Sequence, residues 1–349
     1  GMAHFCEHMS FKGTTHRRAW HIMHSLESVG GDLNAFTNKE ETVYHAAVLK
    51  ENIDRAVDLL TDIVFHSTYP QAEIDKEVEV IVDEIESYND SPAELVYDLF
   101  ENAVFGGHPL GHNILGTAEK LRRYTTADAL RFTRRYYRPE NSVFFAYGDV
   151  DFQKLVRLLE RANAADAAAE SVAAVSLPPQ QQALCDESAG CGGGKDTAAA
   201  LLPPYVAQHI EHHMDTHLAH VMLGTRAYDV HDERRIALYL LNNILGGPGM
   251  TARLNVSLRE RNALVYTVES MAQSYSDTGL WAVYFGCDPK NVKRCLRLIR
   301  RELDKVMQRP LSDAQLRAAK RQIRGQIGIA CDSRESFALD FAKSYLHYG

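Results

Sequence analysis

One stretch of unusual composition divides this chain, and it constrains the fold more than any other feature. Residues 162–204 are rich in Ala, Gly, Ser and Pro, with runs such as AADAAAESVAA and CGGGKD. Such a stretch buries too little apolar surface to offset the entropy lost on ordering. The sequence therefore predicts a first domain over residues 1–161, a low-complexity linker over 162–204 and a second domain over 205–349. A chain of 349 residues is long enough for two domains.

The two halves share an order of elements, which indicates that one αβ unit is duplicated. Each half has a predicted strand, an Asn, an amphipathic helix, a Pro break and a second long helix. Pro70 and Pro310, which mark the two breaks, lie 240 positions apart. An accidental recurrence of strand, helix, turn and helix is the alternative. The other local predictions are helices over residues 21–29, 53–65, 74–87 and 126–137, strands over 42–49 and 143–147, and a loop over 100–111.

Composition excludes several classes of protein. No apolar run approaches the ~18 residues that cross a bilayer, so an integral membrane protein is excluded. The chain has 38 Lys and Arg against 46 Asp and Glu, a formal net charge of −8, which argues against a nucleic-acid partner. Six cysteines are too few for a disulfide scaffold. These features favour a soluble, cytoplasmic protein. No leader sequence is visible, but we expect the true N-terminus to be missing, so the compartment stays unknown.

The segment His4-Phe5-Cys6-Glu7-His8 has the pattern H-x-x-E-H, the inverted form of a zinc-peptidase signature. On a helix, positions i and i+4 project from one face, so two imidazoles can bind one metal ion. A carboxylate at i+3 lies beside them and can act as a general base toward a water molecule at the metal. A polar helix with two ordinary histidines is the alternative, because the pattern arises by chance about once in ten such chains.

A third metal ligand has to come from elsewhere, and the acidic helix over residues 74–87 offers Glu77 and Glu84. These two lie seven residues apart, hence two turns apart on one face. A solvated acidic face is the usual interpretation of such a charge run. The repeat argues against it, because the offset of 240 places Arg317 and Arg324 at the equivalent positions. One copy could then bind a metal ion and the other could not.

Five segments together resemble the pitrilysin/insulysin-type inverzincin zinc metallopeptidases, a family that includes the mitochondrial processing peptidase. They are GMAHFCEHMSFKGT (residues 1–14), GGDLNAFTNKEETVYH (30–45), EVEVIVDEI (77–85), HPLGHNILGT (108–117) and LNNILGGPGMTARLNVSLRERNALVYTVES (241–270). They occur in the family's order and span nearly the whole chain outside the linker. The resemblance implies an α+β fold of two related domains, each an antiparallel sheet with helices packed on one face.

The resemblance also implies roles for individual residues. It implies one zinc ion per chain, with His4, His8 and Glu84 as ligands and Glu7 as the catalytic base. Glu77 then corresponds to a supporting carboxylate that orients a ligand.

Four further residues take roles from the same resemblance. Asn34 and Ala35 lie where the family pairs an edge strand with an extended substrate. Arg259 and Tyr266 match the pair with which the family's second half contacts the scissile carbonyl.

The chain departs from the family pattern at three places. Ala263 stands where the family usually has Gly, which alters the turn before Leu264. His4 comes near the beginning of the chain, whereas the family has a strand-bearing segment first, and the chain ends at Gly349 within a helical stretch. We therefore expect a fragment of a longer protein, truncated in both domains.

The function implied is that of a zinc-dependent endopeptidase that cleaves unfolded peptides or presequences. The alternative is a non-catalytic structural or binding subunit of the same family, which the complete set of metal-binding residues disfavours. We expect a homodimer, with a heterodimer of related subunits as the competing arrangement.

Two other features are given no functional role. The tract with His209, His212, His213, His217 and His220 is predicted to be an edge strand with solvated imidazoles. Cys6 is predicted to be a small buried hydrophobe.

Overall fold

The computed structural model describes residues 1–162 and 202–349, and contacts between residues divide them into two units. The first unit comprises Gly1–Asp83 and residues 114–162. The second comprises Glu84–Asn113 and residues 202–349. The predicted linker over 162–204 falls almost entirely outside the described residues.

The first unit begins with helices and a short antiparallel hairpin. Strands β1 and β2 pair from Asp32 with Ala47 to Thr37 with Thr42. The elements are α1 (Met2–Ser10), α2 (Ala19–Glu27), β1 (Asp32–Thr37), β2 (Thr42–Ala47), α3 (Ile53–Phe65), α4 (Gln71–Asn89), α6 (Ala118–Leu121), α7 (Thr126–Tyr136) and α8 (residues 152–162). The last residues of α4 belong to the second unit, as does α5 (Pro92–Phe105).

The core of the first unit forms where α2 and α3 pack on the hairpin. Buried Ile22 and Leu26 of α2 meet Leu59 and Ile63 of α3, and the half-buried Tyr44 of β2 packs against them. The spacing of these residues along each helix gives one apolar stripe, which faces the sheet. Helix α1 lies against both strands and α7. The hairpin therefore fixes the position of α1.

The second unit contains a three-stranded antiparallel sheet in the order β3-β5-β4. Its elements are α5, β3 (Ala219–Ala227), α9 (Arg234–Gly246), a π-helical segment (Asn255–Glu260), β4 (Val265–Ser274), β5 (Gly279–Cys287), α10 (Val292–Gln308), α11 (Asp313–Ala330) and α12 (Arg334–Tyr348). The central strand β5 and helix α10 supply much of the core, with Phe285, Cys295 and Ile299 fully or almost fully buried. Helix α5 packs against β3.

The α+β class predicted from the resemblance is confirmed, with an antiparallel sheet and packed helices in each unit. Both halves also show the same order of elements, because β2 leads into α3 and α4 as β5 leads into α10 and α11. The duplication itself stays a prediction. The domain boundaries also stay a prediction, since the contact-defined units divide the chain within α4.

Two local predictions are wrong. Residues 100–111 were expected to form a loop, but α5 extends to Phe105. Its start at Pro92 suits the first turn of a helix, and its apolar residues Val104 and Phe105 are buried against Tyr275 and Leu280. Residues 143–147 were expected to form a strand, but they belong to no strand of the two sheets that the structure describes. An extended segment is a strand only when a neighbouring strand pairs with it.

The histidine tract is only partly the edge strand that its sequence predicts. Within the part of the chain that the structure describes, β3 is an edge strand, but it begins at Ala219, so only His220 of the five histidines lies in it. The His220 Nδ1 lies 2.8 Å from the Tyr284 hydroxyl. His209, which precedes the strand, lies 3.0 Å from Glu211 and is largely exposed. Among the described helices, none is long and apolar enough to cross a membrane.

Candidate metal centre

Helix α1 presents two histidines and a glutamate on its inner side. His4 and Glu7 are buried, whereas His8 is half-buried. The His4 and His8 rings lie on consecutive turns with their centroids 4.6 Å apart. Phe5 packs edge-on against Tyr124 at 5.1 Å and anchors the helix from its other side. The four-residue spacing and this anchor hold both imidazoles toward one point.

Helix α4 brings Glu84 to the same point. One ligand atom each from His4, His8 and Glu84 lie within 4.8 Å of one another. Because α4 is continuous from Gln71 to Asn89, the position of Glu84 follows from that of Glu77 two turns earlier. The structure thus brings together the three residues for which the resemblance implied a ligand role.

Glu77 connects His8 to a lysine. Its Oε1 lies 3.0 Å from His8 Nδ1, and its Oε2 lies 2.6 Å from Lys12 Nζ. Burial alone would raise the pKa of Glu77, but the hydrogen bonds from His8 and Lys12 outweigh it and hold the pKa below its usual value. An ionised Glu77 accepts a hydrogen bond from the Nδ1–H of His8, which makes Nε2 the ligand atom of this ring.

Glu7 is held by the end of the hairpin. The Thr37 hydroxyl donates a hydrogen bond of 2.6 Å to Glu7 Oε2. Thr37 pairs with Thr42 across the hairpin, and their hydroxyls lie 3.2 Å apart. One carboxylate oxygen of Glu7 is therefore oriented by β1, beside the two histidines.

Burial keeps the His4 imidazole neutral. Desolvation, followed by the nearby charge of His8, lowers the pKa of His4 to about 4. A neutral imidazole offers a lone pair to a metal ion without first losing a proton.

The donor set fits a zinc ion. Two imidazoles and one carboxylate form the three-residue set of one class of catalytic zinc site, which keeps a fourth position open. Ligand atoms around tetrahedral zinc lie about 3.4 Å apart for bonds of ~2.1 Å. The ligand atoms of His4, His8 and Glu84 all lie within 4.8 Å of one another, so small side-chain movements bring them to that spacing.

Cys6 lies in the same helix but on its core side. The side chain is fully buried, and burial raises the pKa of its thiol to about 12. The prediction of a buried hydrophobe is therefore confirmed.

Asn34 and Ala35 lie in the middle of β1. They pair with His45 and Tyr44 of β2, and β1 has no other partner strand among the described residues. The backbone N–H of Ala35 donates to Asn34 Oδ1 at 2.8 Å. A strand added at this edge would take over that donor.

Arg259 and Tyr266 lie in the second unit, in a segment with three irregular features. Arg259 is in the π-helical segment and Tyr266 is the extra residue of a β-bulge, between Val265 and Thr267. Between them Ala263 has a φ of 47°, a left-handed backbone that favours glycine. π-Helical turns and bulges occur often at functional sites, where they redirect a side chain. Both side chains reach solvent, and Tyr266 is 84% exposed.

Sequence reasoning missed Thr37 and Lys12. Thr37 is 30 residues from Glu7, and Lys12 is 65 residues from Glu77, so no local spacing pairs them. The sequence contains a weak signal that Thr37 belongs to the site. Side chains alternate along a strand, so Thr37 lies on the same face of β1 as Ala35, which the resemblance assigns to substrate binding.

Two family models match most of the chain. The one described as "Insulinase (Peptidase family M16)" matches residues 1–118, and "Peptidase M16 inactive domain" matches residues 123–323.

Several curated proteins are similar over the full chain. A protein of Streptomyces coelicolor named an uncharacterized zinc protease is 34% identical over 349 residues, which is 100% of this chain and 72% of that protein. One of Bacillus subtilis with the same description is 32% identical over 96% of this chain and 76% of its own length.

Solved structures share the fold. The crystal structure of a protease from Helicobacter pylori has a TM-score of 0.81 and 22% identity, covering 99% of this chain and 79% of that chain. A peptidase M16 inactive domain from Pseudomonas fluorescens has a TM-score of 0.74 and 18% identity, with 99% and 76% of the two chains covered.

Proposed function

Because this chain belongs to the M16, or insulinase, family of peptidases, we propose that it is a zinc-dependent endopeptidase that cleaves unfolded peptides or presequences. The observation that carries the proposal is the convergence of ligand atoms from His4, His8 and Glu84 beside the buried Glu7. A non-catalytic family member would have no need for all four side chains. Similar proteins that are named zinc proteases support the choice of metal.

In this proposal the chain's residues divide the work of hydrolysis. Zinc, when bound, lowers the pKa of a water molecule to about 7 and polarises a peptide carbonyl. Glu7 takes the proton of the attacking water and passes it to the leaving amine, while the hydrogen bond from Thr37 orients its carboxylate. Glu77 holds the His8 ring in place through Nδ1.

The substrate is proposed to bind as an extended strand along β1. The Ala35 N–H then exchanges its bond to Asn34 Oδ1 for one to a substrate carbonyl. A substrate bound in this way has to be extended. Unfolded peptides meet that requirement and folded proteins do not.

Arg259 and Tyr266 are proposed to stabilise the oxyanion that develops on the scissile carbonyl. In the assembly we propose, a homodimer, this pair completes the zinc site of the partner subunit. A two-fold dimer completes both sites with one kind of interface. A heterodimer with a related subunit is the competing arrangement.

The test distinguishes the catalytic base from the metal ligands by measuring zinc content and peptide hydrolysis in single variants. Glu7→Gln should keep stoichiometric zinc while hydrolysis of an unfolded fluorogenic peptide falls by ~10²-fold or more, because the base is lost. Glu84→Gln should instead lose zinc. Glu86→Gln, an exposed neighbour on α4, is the matched control and should change neither.

Zinc content and peptide turnover are measured on the same preparations, with a folded protein as a second substrate. Loss of zinc in Glu7→Gln and its retention in Glu84→Gln would reverse the two assignments. Stoichiometric zinc without any turnover by the unmutated chain, or by a longer protein containing it, would favour the non-catalytic alternative.

A further inference from the structure

A second group of metal-ligand side chains lies at the end of α3, apart from the candidate zinc centre. His16, Asp62 and His66 each offer one ligand atom, and these atoms lie within 4.8 Å of one another. Asp62 and His66 are four residues apart at the carboxyl end of α3, so their side chains project from the same face. His16 comes from the loop that follows α1. We call these three residues the α3 cluster.

The two histidines of the α3 cluster approach one carboxylate oxygen of Asp62. Asp62 Oδ1 lies 2.7 Å from His16 Nδ1 and 3.3 Å from His66 Nδ1. The two imidazole rings stand nearly perpendicular, with centroids 4.9 Å apart. Two nitrogens and one oxygen, one ligand atom from each residue, therefore lie within 4.8 Å of one another.

The other oxygen of Asp62 is committed to different partners. Oδ2 accepts hydrogen bonds from Thr14 Oγ1 at 2.8 Å and from Arg17 Nη1 at 2.6 Å. These bonds fix the plane of the buried carboxylate and leave Oδ1 on the side of the histidines.

Backbone contacts hold the loop of His16 against the end of α3. The Thr15 N–H donates to the His66 carbonyl at 3.0 Å, and the Thr68 N–H donates to the Gly13 carbonyl at 3.1 Å. Thr14 and Ser67 also form an isolated β-bridge. The backbone of the loop is therefore held against the end of α3, which keeps His16 close to His66.

We propose that the α3 cluster is a second zinc site, with His16 Nδ1, His66 Nδ1 and Asp62 Oδ1 as ligands. Two imidazoles and a carboxylate suit zinc, and ligand atoms around it lie about 3.4 Å apart. The pair formed by Asp62 and His66 already has that spacing. The pair formed by Asp62 and His16 has to open by ~0.7 Å, which the His16 side chain, 60% exposed, is free to do.

The role of this site is structural. The bound ion ties the loop after α1 to the end of α3, and it leaves a fourth position for water on the exposed side of His16. Arg17 lies close enough to repel a divalent cation, so we expect binding weaker than at the candidate zinc centre. The proposal does not depend on the proposed function, because none of the three residues belongs to that centre.

The experiment removes the candidate zinc centre first. A His4→Gln/His8→Gln double variant of the whole chain is dialysed against zinc, and bound zinc is measured by mass spectrometry. We expect one zinc ion per chain to remain. Adding His16→Gln and His66→Gln should remove it. A control with His21→Gln and His24→Gln, which removes two exposed imidazoles from α2, should keep it.

A second control and a second readout make the result decisive. His212→Gln/His213→Gln tests the exposed histidine tract and should also keep the ion. Zinc should raise the melting temperature of the double variant by several degrees, because it binds only the folded site. It should not do so once His16, whose side chain is 60% exposed, is replaced by Gln.

The proposal is overturned if the double variant holds no zinc, or if the ion persists after His16 and His66 are replaced. It is also overturned if the ion is lost when His212 and His213 are replaced but kept when His16 and His66 are replaced. Circular dichroism of His16→Gln guards against loss of zinc by unfolding. A folded His16→Gln variant that keeps the full zinc affinity also overturns it, since Asp62 would then be only a hydrogen-bond acceptor.

Discussion

Glu7 and Glu77 are both buried and both lie beside His8, yet their partners prepare them for different tasks. Glu7 accepts a hydrogen bond from a neutral hydroxyl, that of Thr37. Glu77 lies between His8 and the Lys12 cation, which lowers its pKa. A carboxylate stabilised by a cation is a poor base and a good orienting group.

The first residue-scale prediction concerns Glu77. Glu77→Gln should weaken zinc affinity about 10–100-fold, because the amide orients His8 poorly and leaves Lys12 without its acceptor. Affinity is measured by competition with a chelator. Glu73→Gln, on the same helix and paired with Lys76, is the matched control and should bind as before. If Glu77→Gln bound zinc as tightly as Glu73→Gln, Glu77 would have no supporting role at the zinc site.

The second residue-scale prediction concerns Ala263, whose φ of 47° is unfavourable for a residue with a Cβ. Ala263→Gly should raise the free energy of unfolding by up to ~1 kcal/mol, because it relieves this strain. Ala318→Gly, at an exposed position within α11, should lower it by ~1 kcal/mol. Urea unfolding of both variants gives the comparison, and a loss of stability in Ala263→Gly would contradict the argument.

At the scale of elements, the sheet of the second unit supports the π-helical segment that contains Arg259. Strand β5 pairs on both sides, and α10 covers it with Cys295, Leu298 and Ile299. The π-helical segment packs into the same core through Leu258. Arg259 follows Leu258 directly, so the position of Arg259 depends on that core.

The element-scale prediction tests this core. Ile299→Ala should lower the stability of the second unit by about 2–5 kcal/mol, because it leaves a cavity at a fully buried position. Met307→Ala, at the exposed end of α10, should change it by less than about 0.5 kcal/mol. In a Trp20→Phe background, the fluorescence of Trp281, which packs against this core, reports on the second unit alone. Equal unfolding midpoints for the two variants would mean that α10 contributes little.

At the scale of the whole molecule, the proposed zinc ligands and the Arg259/Tyr266 pair belong to different halves of the sequence. His4 and His8 lie near the beginning of the chain, whereas Tyr266 is largely exposed in the second unit. An exposed tyrosine on a β-bulge is available to a partner. This is the basis for proposing that the pair acts in trans.

The whole-molecule prediction is complementation between two inactive variants. Arg259→Ala/Tyr266→Phe and Glu7→Gln are mixed, and peptide hydrolysis is measured. Sharing in trans predicts recovered activity, because mixed dimers contain one site with an intact base and an intact carbonyl pair. The control is each variant alone. No recovery in a mixture shown to exchange subunits would mean that the pair acts in cis or not at all.

Features that depend on local spacing could be predicted from the amino-acid sequence. The pattern from His4 to His8 predicts two imidazoles on one face because a helix repeats every 3.6 residues. Amphipathic periodicity predicted α3 over Ile53–Phe65, and residues 42–49 contain β2. The Gly expected at Ala263 also corresponds to a left-handed position that the structure shows.

Features that depend on contacts between residues far apart in the chain became evident only from the folded structure. Residues 143–147 have a strand-like sequence, but a strand also needs a partner, and local sequence does not supply one. Helix α5 was missed because its burial comes from Tyr275 and Leu280, about 170 residues later. Likewise, only the folded chain brings Thr37 into contact with Glu7 and His16 into contact with Asp62. A hydrogen bond requires two atoms about 3 Å apart, and the number of residues between them does not give that distance.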